Sequence, residues 1–154
     1  MRRLKYQAII LGVGDPKLEQ AAARLQELYP DRIHVEARYD AGLARQIYAG
    51  SDMLLMPSRY EPCGLSQMIA MRYGCIPVVR ATGGLNDTVI QGETGFVFKG
   101  ADVKSLGAAI RTALNVFQDK ERWRVLQRAA MAIDFSWEIS ARQYAEIYRT
   151  LINR

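Results

Sequence analysis

The 154 residues are enough for one domain with a full core and too few for two ordinary ones. Hydrophobic residues make up 49% and charged residues 24%, a globular composition that excludes a chain disordered throughout. A net charge of +5 with no basic run interleaved by aromatics suits anionic small molecules and argues against nucleic acid, and no apolar run is long enough to span a bilayer. The small basic cluster of Arg2, Arg3 and Lys5 reads as solvated, and the start carries no signal-peptide pattern.

Residues 6–11 form a buried-type apolar strand that ends at Gly12-Val13-Gly14. A dinucleotide fingerprint would need a glycine at position 17, where Lys17 stands instead, so a nicotinamide enzyme is disfavoured. Asp15 and Pro16 then supply the N-cap and first residue of a helix with Leu18, Ala21, Ala22, Leu25 and Leu28 on one face. Residues 33–37 form a second strand, which makes His34 a strand residue and not a base. Asp40 is placed to cap a helix over 41–49. Between them Tyr39 stands at the carboxyl end of a strand, where open parallel sheets bind ligands; it is either a base-stacking ring or an ordinary rim tyrosine.

A third strand over 52–56 leads into residues 57–67, Pro-Ser-Arg-Tyr-Glu-Pro-Cys-Gly-Leu-Ser-Gln, and then a helix that stops at Gly74. Pro62 and Gly64 bend the chain, with Glu61 at the bend. Free N–H groups near Gly64, Leu65 and Ser66 favour an anion, most simply a phosphate. A carboxylate beside a phosphate site needs another purpose: Glu61 either caps the helix or accepts hydrogen bonds from sugar hydroxyls. Cys63 is either a reactive thiol beside a helix start or a bystander. With Cys75 it makes no metal spacing, one His completes no Cys/His cluster, and two free thiols suit a reducing compartment.

Residues 76–79 form a fourth strand with Pro77 near its start, and Thr82-Gly83-Gly84-Leu85 makes a second glycine turn that opens a helix. There the N–H groups of Gly83, Gly84 and Leu85 can approach a ligand, although an ordinary strand-to-helix turn has the same look. A turn over 91–95, a short strand over 96–98, and helices over 103–117, 120–132 and 137–152 complete the chain, capped by Asp102 and, for the last, Ser136. Val103, Leu106, Ala109, Ile110, Ala113 and Leu114 face inward; the next helix carries Trp123, Leu126 and Gln127, and Ile139, Tyr144, Ile147, Tyr148 and Leu151 of the last read as packing. Strands alternating with helices imply an α/β fold, a Rossmann-like parallel sheet covered on both faces. Right-handed crossovers would then set both glycine turns and Tyr39 on one edge as a single site.

The segments 57–67, 72–80 and 82–89, with Asp134-Phe135-Ser136-Trp137, resemble the carboxyl-terminal half of bacterial glycogen synthase and plant starch synthase over almost the whole chain. The resemblance implies the GT-B fold and retaining transfer of glucose, usually from ADP-glucose, to the end of an α-1,4-glucan. It implies that Glu61 contacts the donor glucose, that Cys63 and Gly64 lie along the sugar, and that Leu65 and Ser66 hold a phosphate. Thr82, Gly83, Gly84 and Leu85 would line the donor site, with Tyr39 stacking on adenine. Related enzymes often carry a second glutamate for ribose where Ile69 stands here, as the glucan synthases also lack it. The family's phosphate-binding arginine and lysine, and the acceptor-side domain, correspond to sequence upstream of Tyr6.

The expectation is therefore one donor-binding domain over 1–154, part of a larger enzyme and inactive alone, because it supplies one wall of a two-domain cleft. ADP-glucose or ADP would be its ligand, and the glucan acceptor would be held by the absent domain. No metal or other cofactor is expected, because no Asp-x-Asp pair exists to hold one. The compartment would be the bacterial cytoplasm or the plastid stroma of a plant. A sugar nucleotide other than ADP-glucose, or a non-catalytic nucleotide- or glucan-binding module, are the competing readings.

Overall fold

A computed structural model describes residues 6–152, so Arg2, Arg3 and Lys5 lie outside the described residues. Parallel strands alternate with helices, in agreement with an α/β fold. The hydrogen-bonded strands form two sheets, and the chain divides into two compact units after Asp52.

In the first unit β1 (Ala8–Leu11) runs parallel to β2 (Ile33–Glu36), and α1 (Pro16–Leu28) crosses between them and packs on β2. The α1 start follows the sequence: the Asp15 carboxylate accepts the Lys17 N–H at 2.8 Å, with Pro16 in the first turn. Asp40 caps α2 (Ala41–Gly50) by accepting the Leu43 N–H at 2.8 Å. His34 lies in β2 as expected, 2.9 Å from the Glu36 carboxylate. The buried-type reading of the first strand does not hold, since Ile9 and Ile10 are half exposed. An apolar run buries both faces only where both faces of its sheet are covered, and periodicity cannot say whether they are.

The second unit holds the core. Its sheet has the order β3-β4-β5, all parallel: β3 (Met53–Met56), β4 (Ile76–Arg80) and β5 (Phe96–Phe98). The central β4 is buried from Ile76 to Val79, and fully burying a side chain such as Val78 or Val79 stabilises by about 1.5–3 kcal/mol. Short helices α3 (Ser66–Arg72) and α4 (Gly83–Thr88) follow β3 and β4, and α5 (Val103–Gln118), α6 (Lys120–Ala132) and α7 (Trp137–Ile152) follow β5. Trp123 of α6 is buried against Phe96, ring centroids 6.4 Å apart, and edge-on to Phe117 at 5.1 Å. Asp102 caps α5 as expected, and Asp119, which the sequence reading missed, caps α6.

Two packing expectations need correction. Val103 is exposed, because it occupies the first turn of α5, where the inward face has barely begun. The apolar face of α7 is not buried: Ile139, Tyr144, Ile147, Tyr148 and Leu151 are all exposed. Helical spacing reports that a face is apolar, not what covers it. Just ahead of α7 the Asp134 carboxylate accepts the Ser136 N–H at 2.8 Å, and that bond holds its pKa below the ordinary value. Among the described residues no helix is long and apolar enough to cross a membrane.

Candidate functional site

Two turns leave the carboxyl ends of neighbouring parallel strands, the first after β3 and the second after β4. They are locked together through their backbones. The Gly84 N–H is shared between the Glu61 carbonyl at 3.2 Å and the Pro62 carbonyl at 3.3 Å. A Cβ on Gly84 would stand 2.6 Å from the Cys63 carbonyl carbon and 2.7 Å from its Cα. One on Gly83, whose φ is +43°, would collide with the Glu61 carbonyl. The glycines thus permit close approach of one turn to the other, where the sequence suggested close approach to a ligand.

Glu61 is half-buried at the centre of the first turn. It does not cap α3: the N-cap position is Leu65, and no side chain bonds there. Among the described residues the Glu61 carboxylate makes no hydrogen bond or ion pair, which leaves it available as an acceptor. Cys63 is exposed beside it. Gly64 has φ +71°, and a Cβ there would come within 2.9 Å of the Gln67 Nε2, so conformation and space both demand glycine. Leu65 is exposed and Ser66 half-buried at the helix start.

In the second turn Thr82 takes the N-cap position of α4 without a side-chain cap bond. Leu85 is fully buried in the core, and its N–H bonds the Thr82 carbonyl at 3.2 Å. With the Gly84 N–H also engaged, these two residues shape the site instead of donating into it. The structure therefore brings Glu61, Cys63 and Gly64 together with Gly83 and Gly84. Tyr39 belongs to the first unit, in the bend between β2 and α2, and its ring is 87% exposed. It is flanked by Arg38, which pairs with Glu36 and Asp40, each at 3.3 Å.

Sequence reasoning missed the residues that brace this arrangement. Arg80, at the end of β4, donates from Nε to the Ser58 carbonyl at 2.7 Å and from Nη2 to the Arg59 carbonyl, holding the approach to Glu61. Gln67 is fully buried beneath both turns. A glutamine directly after a bend and inside an otherwise apolar helix face was the available signal. Among the described residues no cluster of three or more His, Cys, Asp or Glu could hold a metal ion.

Residues 2–129 match the family described as glycosyl transferases group 1. Glycogen synthase from Thermotoga petrophila is 47% identical over 150 residues, covering 93% of this chain and 31% of that protein. Glycogen synthase from Anaeromyxobacter dehalogenans is 50% identical over 150 residues, with 94% and 31% covered. Among solved structures, the catalytic domain of Starch Synthase IV from Arabidopsis thaliana, bound to ADP and acarbose, superposes with a TM-score of 0.83 at 36% identity, covering 96% of this chain and 33% of that one. Sucrose-phosphate synthase from Thermosynechococcus elongatus gives 0.70 at 29% identity, covering 96% and 39%. The chain spans about a third of the length of the curated relatives it matches.

Proposed function

Because the chain belongs to the glycosyl transferases group 1 family, we propose that it is the donor-binding domain of a retaining glucan synthase, which transfers glucose from ADP-glucose to the non-reducing end of an α-1,4-glucan. The observation that carries this reading is the interlock of the two turns, which fixes an uncommitted Glu61 carboxylate on a rigid backbone at the carboxyl ends of two parallel strands. Supporting it, the starch synthase relative was solved with ADP and acarbose.

In this assignment Glu61 accepts hydrogen bonds from the donor glucose, and Cys63 and Gly64 lie along the sugar. Leu65 and Ser66 face a phosphate, Thr82, Gly83, Gly84 and Leu85 shape the wall, and Tyr39 stacks on adenine. Glu61 is not cast as a covalent nucleophile. The acceptor hydroxyl attacks from the face that the phosphate leaves, so catalysis is mostly positioning plus stabilisation of the departing diphosphate. The reading assigns no metal or other cofactor. The glucan acceptor is held by a second domain, and the enzyme works in the bacterial cytoplasm or, in a plant, the plastid stroma.

Calorimetric titration of the chain with ADP-glucose and UDP-glucose tests the donor assignment. Weak binding with a preference for ADP-glucose is expected, and equal or stronger binding of UDP-glucose overturns it. Labelled-glucose incorporation into glycogen tests the division of labour. The chain alone is expected to stay at the no-protein background, and clear incorporation would show that one wall of the cleft suffices.

A further inference from the structure

The two turns are joined by more than the Gly84 N–H. The Gln67 side chain is 0% exposed, and its Nε2 reaches the Cys63 carbonyl at 3.2 Å, the Gly64 carbonyl at 2.6 Å and the Thr88 Oγ1 at 3.0 Å. Two carbonyls at one end of the amide fix its orientation, since an oxygen in that place would face oxygens. Thr88 Oγ1 in turn donates to the Gly84 carbonyl at 2.6 Å, which leaves its lone pairs for the Gln67 amide. Gly84 then returns to the first turn through its N–H on the Glu61 and Pro62 carbonyls. The bonds close a ring: first turn, Gln67, Thr88, Gly84, and back to the peptide of Glu61 itself.

Stability alone is a poor reason for this glutamine. Its Oε1 is buried with no partner, and a buried acceptor left unbonded is a net cost. An unbranched apolar side chain would fill the same space without that cost, but it would leave the ring open.

We propose that Gln67 and Thr88 are positioning residues of the donor site: by closing this ring they make the two turns one rigid body and set where the Glu61 carboxylate stands. The role in donor binding rests on the donor-site reading above; the coupling of the turns does not. Gln67 is fully buried beneath the turns and acts through the backbone that carries Glu61, so the effect falls on the glucose end, which Glu61 reads.

The test compares the chain with Gln67→Met, Thr88→Val and Thr88→Ser by amide hydrogen exchange and by titration with ADP and ADP-glucose. In Gln67→Met and Thr88→Val, exchange at the Gly84 N–H should rise about tenfold, the factor that one hydrogen bond commands, with the β4 amides unchanged. The affinity ratio of ADP-glucose to ADP should fall about tenfold while ADP affinity holds. Thr88→Ser keeps the hydroxyl and should match the parent chain on both readouts. Unchanged Gly84 exchange in Thr88→Val, or a Thr88→Ser that behaves like Thr88→Val, overturns the proposal. So does loss of ADP and ADP-glucose affinity in equal measure, the mark of a merely structural role. Should Gln67→Met not fold, the Val and Ser pair at Thr88 decides alone. If the parent chain binds neither nucleotide, the donor-site reading fails, and the exchange data still decide whether the ring couples the turns.

Discussion

Glu61→Gln separates a sugar ligand from a structural carboxylate. The substitution is nearly isosteric and keeps one acceptor oxygen. In this structure it removes no cap, because α3 begins at Leu65 with no side-chain bond, and it breaks no ion pair among the described residues. The expected change in stability is therefore within about 0.5 kcal/mol, as for a surface change away from any special feature. A capping role would instead cost about 1 kcal/mol, a fall of roughly 4–8 °C in Tm for a unit of this size. On the ligand side, hydrogen bonds to a charged acceptor are worth about 1.5–3 kcal/mol, so losing the charge should weaken ADP-glucose binding by about 10- to 150-fold. ADP lacks the glucose and should bind as before. Thermal melts and paired titrations of the chain with ADP and ADP-glucose measure all three quantities. In a full-length synthase carrying this domain, kcat should fall by about 10²-fold. A lowered Tm together with an unchanged ADP-glucose to ADP ratio would refute the reasoning and return Glu61 to a structural role.

Gly84→Ala forces a methyl against the Cys63 backbone, 2.6 Å from its carbonyl carbon, so it should destabilise by about 1–3 kcal/mol and weaken ADP-glucose binding, read by denaturant melts and titration. Tyr39→Ala removes a ring that is 87% exposed, so Tm should hold while ADP affinity drops about tenfold or more, the loss of one base-stacking contact; unchanged ADP affinity would make Tyr39 a rim residue. The Ser105 N–H bond holds the Asp102 pKa below its ordinary value. A depressed folded pKa means that this carboxylate stabilises above its unfolded pKa and that the benefit is lost as pH falls through the folded one. The parent chain should therefore be more stable than Asp102→Ala at pH 7, and the gap should narrow below about pH 4 in parallel denaturant melts.

Much of the architecture could be read from local signals. The caps at Asp15, Asp40 and Asp102 were legible because an acidic side chain just ahead of an apolar-periodic run has one favoured use, and each accepts the N–H expected of it. The run from Ile76 to Val79 announced a strand, and it proved to be the buried centre of a three-stranded sheet. The apolar face of α7 was equally legible as a pattern, yet its burial was not, because burial depends on what stands opposite and no local signal carries that.

For the site, the sequence by itself determined which residues are candidates: the Glu61 bend, its glycine, and a second glycine turn one strand later, with a long motif that identifies the family. It left Glu61 divided between cap and sugar ligand, since both uses place a carboxylate near a helix start. Only the tertiary structure decided that Leu65, not Glu61, occupies the cap position, that Gly83 and Gly84 serve the meeting of two backbones, and that Gln67, Thr88 and Arg80 hold the turns. The physical reason is range. Caps, turns and periodicity are set by neighbours within a few residues, whereas Gln67 meets Thr88 across 21 positions and Arg80 meets Ser58 across 22. A hydrogen bond between residues so far apart in the chain exists only once the parallel strands β3 and β4, which lead into these turns, lie side by side.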